Sequence, residues 1–105
     1  MKRENLEDII KICHKYSICI LADEVYQENI YSEGKSFVSM RKVLHDLGEP
    51  YSNSVELVSM NSVSKGLLGE CGLRGGYFET VNIPQRAQDL FYKLKSIELC
   101  SNTVG

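Results

Sequence analysis

Long hydrophobic runs are missing from this sequence, and their absence limits where the protein is expected to reside. The longest purely apolar run extends only from Ile18 to Ala22, whereas a membrane-spanning helix needs about 20 such residues. At the N-terminus, Met1 is followed by Lys2 and Arg3 without the apolar core of a secretory signal. We therefore expect a cytoplasmic protein with no membrane partner.

An excess of charge of one sign is also missing. The 105 residues contain 12 lysines and arginines against 14 aspartates and glutamates, a formal net charge of −2 at pH 7. The basic residues are scattered along the chain, so they do not form the positive stripe that is typical of nucleic-acid binding. We expect no nucleic-acid partner.

The cysteines lack the spacing of a metal site or of a disulfide framework. No C-x-x-C pair occurs, and His14 and His45 lie far apart in the sequence. Reduced and mostly buried thiols are therefore expected, with no bound metal. The four cysteines are Cys13, Cys19, Cys71 and Cys100.

Hydrophobic periodicity predicts helices that alternate with strands. In the run from Ile18 to Leu21 the apolar residues are consecutive, which is typical of a strand buried on both faces in a parallel sheet. Gly48 and Pro50 are expected to end the second helix. The predicted elements are a helix over 4–16, a strand through 18–21, a helix over 40–47, strands over 55–62 and 75–83, and a helix over 84–97.

This order indicates an α/β fold with helices packed over a largely parallel sheet. Three strands make a thin sheet, and an outer parallel strand would expose backbone groups that such sheets normally cover. We therefore expect residues 1–105 to be the central slice of a larger domain that is incomplete at both ends.

The segment SVSKGLLGECGLRGG, residues 62–76, places glycine at every third position from Gly66 to Gly75. Repeated glycine disfavours an α-helix, and the few triplets contain no proline, which excludes a collagen helix. A loop is expected, and glycine-rich loops after strands commonly bind phosphate through backbone N–H groups. The spacing matches neither the nucleotide P-loop nor the dinucleotide fingerprint G-x-G-x-x-G.

The polar side chains of this loop point to a cofactor that carries both a phosphate and an aldehyde. The hydroxyls of Ser62 and Ser64 and the guanidinium of Arg74 are suited to a phosphate. Lys65 supplies an amine, which a phosphate alone would not require but an aldehyde would. Pyridoxal phosphate is the cofactor with both groups. For Ser64, phosphate contact and capping of the following turn remain equally open.

Pyridoxal phosphate makes a second demand, because its ring nitrogen needs a carboxylate and its phenolic oxygen needs a donor. Asp23 ends the predicted strand and Tyr26 follows it closely. Ligands in open α/β sheets bind at the carboxyl ends of strands, and Lys65 follows the next strand in the same way. An alternative for Asp23 alone is the N-cap of a helix over residues 24–31.

Two stretches, LADEVYQENIY and SVSKGLLGECGLRGGYFETVNI, resemble the class I, fold type I family of pyridoxal-phosphate aminotransferases, and within it the alanine aminotransferases. Arg74 comes nine positions after Lys65, one more than in many relatives, and this spacing resembles the alanine subfamily in particular. The resemblance implies a fold type I large domain, of which this chain carries the centre.

The resemblance also implies a role for each site residue. Lys65 would bind the cofactor covalently and act in catalysis. The residues implied to bind pyridoxal phosphate are Asp23 at the ring nitrogen, Tyr26 at the phenolic oxygen, Lys65 at the aldehyde, and Ser62, Ser64 and Arg74 at the phosphate. The implied substrates are an amino acid, L-alanine by resemblance, and a 2-oxo acid such as 2-oxoglutarate, and the implied parent is a homodimer.

Two alternatives remain open from the sequence. The chain could be a remnant that serves only as a small binding or structural domain, in which case another subunit would cover its exposed sheet edges. Related fold type I lyases and synthases share the D-x-x-Y and S-x-S-K segments, so the cofactor could also serve a different reaction. The isolated 105 residues are expected to be inactive, since the remaining cofactor and substrate contacts of the family are missing from them.

Overall fold

The computed structural model describes residues 1–66 and 69–98. Helices and strands alternate in the predicted order, so the α/β class is confirmed. The elements are α1 (Arg3–Tyr16), β1 (Ile20–Asp23), α2 (Met40–Leu47), β2 (Leu57–Ser62), a single 3-10 turn (Cys71–Leu73), β3 (Gly76–Val81) and α3 (Gln85–Glu98).

The three strands form one sheet in the order β1-β2-β3. β1 and β2 are parallel, while β2 and β3 are antiparallel, so the sheet is mixed rather than largely parallel. The connections explain the difference. The chain between β1 and β2 carries α2, which provides the long crossover that parallel strands need. The loop between β2 and β3 carries only the short 3-10 turn, and the chain returns alongside β2 in the opposite direction.

The hydrophobic core lies on one face of the sheet, under α1 and α2. Ile10, Val43 and Leu57 are wholly buried there, and Leu44 is nearly so. β1 contributes Ile20 and Ala22 to this core, with Leu21 pointing to the other face.

The prediction that β1 is buried on both faces is wrong for the described residues. Leu21 is 68% exposed, and it lines an open groove of about 620 Å³ between the sheet and α3. α3 covers only the edge of this face, where Phe91 meets Phe78 of β3 edge-to-face at 5.2 Å between ring centroids. The apolar pattern of β1 therefore requires a cover that the described residues do not supply.

The cysteines are less buried than expected. Cys13 is half-buried and unpaired, and Cys19 and Cys71 are exposed and unpaired; Cys100 lies outside the described residues. Across 1–66 and 69–98, His, Cys, Asp and Glu form no group of three or more suited to a metal. Within the same ranges, no helix has the length and apolar character to cross a bilayer.

Candidate functional site

Asp23 is the last residue of β1, and its side chain is exposed at the carboxyl end of the sheet. The backbone N–H of Val25 approaches Asp23 Oδ1 at 3.4 Å, a long and weak hydrogen bond. The chain then turns over residues 25–28 and does not form the helix over 24–31 that would have made Asp23 an N-cap. Tyr26 lies in this turn and is 60% exposed.

The parallel register brings the end of β2 to the same edge. Asp23 pairs with Met60, so Ser62 and the loop that carries Lys65 emerge just beyond it. Lys65 is exposed. The sequence prediction that the carboxyl ends of these two strands meet is therefore confirmed by the register.

Gly66 connects the two halves of the site. Its φ of +67° lies in the left-handed region, and a Cβ at this position would lie 3.4 Å from the Val25 carbonyl oxygen and 3.9 Å from Asn29 Oδ1. The loop that carries Lys65 thus lies against the turn that carries Tyr26. Because L side chains are strained at this φ, glycine suits the contact best.

The antiparallel return of β3 brings Arg74 to the same loop. Val63 donates its backbone N–H to the Gly75 carbonyl at 3.1 Å, and the Ser62 hydroxyl donates to the same oxygen at 3.3 Å. Gly76 permits this close pairing, since an added Cβ would lie only 2.6 Å from the Asn61 carbonyl oxygen. Arg74, adjacent to Gly75, is consequently beside Ser62.

The Ser62 hydroxyl also organises the turn that presents Lys65. It accepts the backbone N–H of Ser64 at 3.1 Å, so the cap of this turn comes from Ser62, and the choice between phosphate contact and capping for the Ser64 hydroxyl stays a prediction. The Ser64 carbonyl in turn accepts the thiol of Cys71 at 3.2 Å. Ser62 is therefore held in place, and Ser64 is tied to the loop that precedes Arg74.

Arg74 adopts a backbone conformation that is unfavourable for its residue type. Its φ of 50° and ψ of 47° are left-handed, in a segment otherwise rich in glycine. The side chain is exposed, with Nη1 3.5 Å from the Cys71 carbonyl oxygen. Left-handed backbone costs a non-glycine residue roughly 1–2 kcal/mol, and such strain clusters at functional sites.

Glu24 is a feature of the site that sequence reasoning missed. One carboxylate oxygen accepts the backbone N–H of Met40 at 2.7 Å, and the other accepts the hydroxyl of Ser59 at 2.7 Å. Ser59 is only 8% exposed. The available signal was a serine inside the apolar strand β2, because a buried hydroxyl needs a partner.

The donor set at this edge fits the chemistry of pyridoxal phosphate. Arg74 and the backbone of the loop suit an anion, Lys65 offers an amine, and Asp23 and Tyr26 offer a carboxylate and a hydroxyl. The large apolar groove is not part of this site, because none of the six predicted residues lines it.

Comparison with known proteins gives a family match over nearly the whole chain. The model of the family "Aminotransferase class I and II" matches residues 1–99. Glutamate–glyoxylate aminotransferase 1 of Arabidopsis thaliana is 47% identical over 102 residues, covering 97% of this chain and 21% of that protein. The probable mitochondrial alanine aminotransferase of Dictyostelium discoideum is 49% identical over 106 residues, covering 100% of this chain and 20% of that protein.

Solved structures agree in fold. An alanine aminotransferase from Pyrococcus furiosus superposes with a TM-score of 0.71 at 26% identity, over 97% of this chain and 24% of that one. A PLP-bound putative aminotransferase from Clostridium difficile has a TM-score of 0.68 at 15% identity, over 94% of this chain and 23% of that one. The chain spans about one fifth of the length of the curated relatives above.

Proposed function

The chain belongs to the class I and II aminotransferase family, and on that premise we propose that the native protein transfers an amino group between an amino acid and a 2-oxo acid, with pyridoxal phosphate as cofactor. The proposed substrates are L-alanine and 2-oxoglutarate. The names of the similar proteins, alanine and glutamate–glyoxylate aminotransferases, support this choice.

The observation that carries the proposal is the contact of Gly66 with the turn after β1. It joins the loop of Lys65 to the turn of Tyr26, while Gly75 joins Arg74 to Ser62. The segments that carry the proposed amine, carboxylate and guanidinium thus lie at the ends of three adjacent strands, on one edge of the sheet, which supports the proposal.

Each side chain has a proposed task in binding. Arg74, Ser62 and Ser64 bind the phosphate, for which a guanidinium is suited by its parallel N–H groups. The Asp23 carboxylate keeps the ring nitrogen protonated, and the Tyr26 hydroxyl donates to the phenolic oxygen.

Pyridoxal phosphate, when bound, supplies an electron sink for the bonding electrons released at the substrate Cα. Lys65 would hold this group at its aldehyde carbon. Its Nζ, when not so bound, would accept the substrate Cα proton as general base and return a proton as general acid.

The test is covalent labelling of the native protein with pyridoxal phosphate. Wild type is expected to develop a visible absorbance band, and borohydride reduction followed by peptide mass spectrometry should locate the cofactor on Lys65. Lys65→Ala is expected to lose both signals and to lower the alanine to 2-oxoglutarate transfer rate by about 10⁴-fold or more, because it removes the covalent anchor and the proton carrier.

Lys93→Ala is the matched control, because Lys93 lies on the exposed surface of α3 outside the site. It should retain the band and the rate. Label spread over many lysines, or a Lys65→Ala variant with a good fraction of the wild-type rate, would contradict the assignment. If the protein labelled at Lys65 eliminates a group from the amino acid, or condenses it with a second molecule, without transferring the amine, the lyase or synthase alternative is favoured.

The binding-domain alternative predicts no band in the wild type. Glyoxylate should be tested beside 2-oxoglutarate as the amino acceptor, because the Arabidopsis relative is named for it. Transfer to glyoxylate alone would correct the proposed acceptor without changing the reaction class.

We propose further that residues 1–105 are part of a larger cofactor-binding domain of a homodimer. The exposed apolar face beside Leu21 supports this, since a sheet face of this kind needs a cover.

We propose the cytoplasm as compartment, which suits the unpaired Cys13, Cys19 and Cys71. Cell fractionation would test this. Recovery of the protein with mitochondria would contradict it, and the Dictyostelium relative is described as mitochondrial.

A further inference from the structure

Glu24 joins three elements at the edge of the sheet where the proposed site lies. Its carboxylate accepts the first backbone N–H of α2, at Met40, and the hydroxyl of Ser59 in β2, both at 2.7 Å. Its own backbone N–H donates to the Met60 carbonyl at 3.0 Å and so extends the β1–β2 pairing by one bond. Charge-assisted hydrogen bonds of this kind are among the stronger ones in proteins.

The hydrogen bonds of Glu24 matter because few other contacts fix the register of β1. The strand has only four residues, and among the described strands it lies at the edge of the sheet with a neighbour on one side only. A slip of one residue in register would turn every side chain to the opposite face. Asp23 would then point toward the core and away from the proposed cofactor.

Alternation along the strand links Glu24 to its neighbour. Ile20 and Ala22 face the core, and Leu21 and Asp23 are exposed on the other side. Because successive side chains alternate, a Glu24 held inward by α2 and Ser59 requires Asp23 to face outward. The same anchor fixes the start of the turn, since the Gln27 N–H donates to the Glu24 carbonyl at 3.1 Å.

We infer that Glu24 is a positioning residue, which orients Asp23 and the Tyr26 turn toward the Lys65 loop through its hydrogen bonds to Met40 and Ser59. This inference rests on the proposed function. Glu24 itself does not touch the cofactor or the substrate. The partly buried hydrogen bond between Glu24 and Ser59 can be altered by a substitution at either residue.

The experiment compares variants of the native protein, with Val43→Ala as the control of matched stability. Val43 is wholly buried in α2 and makes no contact with Glu24 in the hydrogen-bond network described. Glu24→Ala is expected to weaken pyridoxal phosphate binding by about 10- to 100-fold and to shift the pH midpoint of the bound cofactor's visible band, because misplacement of catalytic groups is costly.

Glu24→Gln should recover part of the affinity, since the amide oxygen still accepts one of the two donors. Ser59→Ala should fall between wild type and Glu24→Ala. Val43→Ala, at an equal loss of melting temperature, should retain the wild-type pH midpoint and affinity. If Glu24→Ala and Val43→Ala show the same cofactor affinity and the same pH midpoint of the visible band, Glu24 is merely structural and the inference is wrong.

A cofactor-free readout separates this inference from the proposed function. In the apo protein, hydrogen exchange at the amides of Gln27 and Asn29 should accelerate in Glu24→Ala beyond the change in Val43→Ala, because both amides close the turn. Unchanged exchange overturns the positioning role whether or not the cofactor binds. Failure of the wild type to bind pyridoxal phosphate overturns the proposed function, and with it the cofactor-directed part of the inference.

Discussion

Arg74 holds a left-handed backbone conformation, with φ of 50° and ψ of 47°, in a stretch where several neighbours are glycine. Glycine would adopt this conformation without the steric cost that arginine carries. The position therefore trades local stability for a guanidinium next to Gly75, whose carbonyl accepts the Ser62 hydroxyl. That trade is expected of a side chain with a ligand to bind, which supports the proposed phosphate contact.

Arg74→Gly separates the backbone strain at this position from the proposed contact of the guanidinium with the phosphate. We expect the free energy of unfolding to change by less than about 1 kcal/mol, because the relief of strain offsets the greater entropy of glycine in the unfolded chain. Affinity for pyridoxal phosphate, measured by absorbance titration, should fall by about 10- to 100-fold with the loss of charged hydrogen bonds. Arg74→Lys should lie between the two, because lysine keeps the charge without the paired N–H groups. Unchanged affinity in Arg74→Gly would remove Arg74 from the phosphate site.

At the scale of elements, α2 connects the core to the site. Its N-terminus is capped by the Ser39 hydroxyl, which accepts the Lys42 N–H at 3.1 Å, and the adjacent Met40 N–H is bound by Glu24. Gly48 ends the helix with a φ of 67°, as predicted. α1 packs beside it and is tied to it by the ion pair of Arg3 with Asp46, at 3.0 Å between Nη1 and Oδ2.

This ion pair predicts a pH dependence of α1 packing. The hydrogen bond from Arg3, and then the nearby charge of Lys42, hold the pKa of Asp46 below its ordinary value of 3.8. A carboxyl whose pKa is lower in the folded state stabilises the fold above the unfolded pKa, and this contribution is lost as the pH falls through the folded pKa. The protection factors of α1 amides, which are corrected for the intrinsic pH dependence of exchange, should therefore fall in acid.

Asp46→Asn should lower those protection factors at about pH 7 and narrow the difference in protection between neutral and acidic conditions. High salt should have a similar but smaller effect, because the pair is partly exposed to solvent and therefore screened. Asp8→Asn is the control, since among the described residues Asp8 is paired only with Lys11 of the same helix, at a long 3.9 Å. An identical acid response in wild type and Asp46→Asn would show that another group controls the packing.

For the whole molecule, the dominant feature is the open apolar groove between the sheet and α3. Leu21, Tyr77 and Phe78 leave much of their surface exposed there, whereas the opposite face of the sheet is covered by α1 and α2. Contiguous apolar surface of this kind is costly in water. It is consistent with the proposal that further parts of the native protein cover this face.

Leu21→Asp in the native protein tests that proposal. A covered face predicts a loss of about 3 kcal/mol in the free energy of unfolding, because a charge would be buried without a partner. A face open to solvent predicts a change within about 0.5 kcal/mol. Ile12→Asp makes the same chemical change at a 55% exposed position on α1, outside the groove, and provides the comparison.

The linear pattern was enough to predict the helices and strands and to indicate the cofactor. Helical spacing located α1, α2 and α3 to within a residue or two, because one apolar stripe is enough to define a helix face. The residue types of the two motifs indicated the cofactor, and the family match agrees with that indication. These features are local, so a linear pattern records them.

How the two motifs meet depends on the packing of the strands and helices. The antiparallel direction of β3, the contact of Gly66 with Val25, and the hydrogen bonds of Glu24 to Met40 and Ser59 each join residues far apart in sequence. No periodicity encodes such pairings, because they depend on which strands and helices become neighbours. The meeting of the Asp23 turn and the Lys65 loop at one edge of the sheet is therefore a property of the packed sheet and not of either motif.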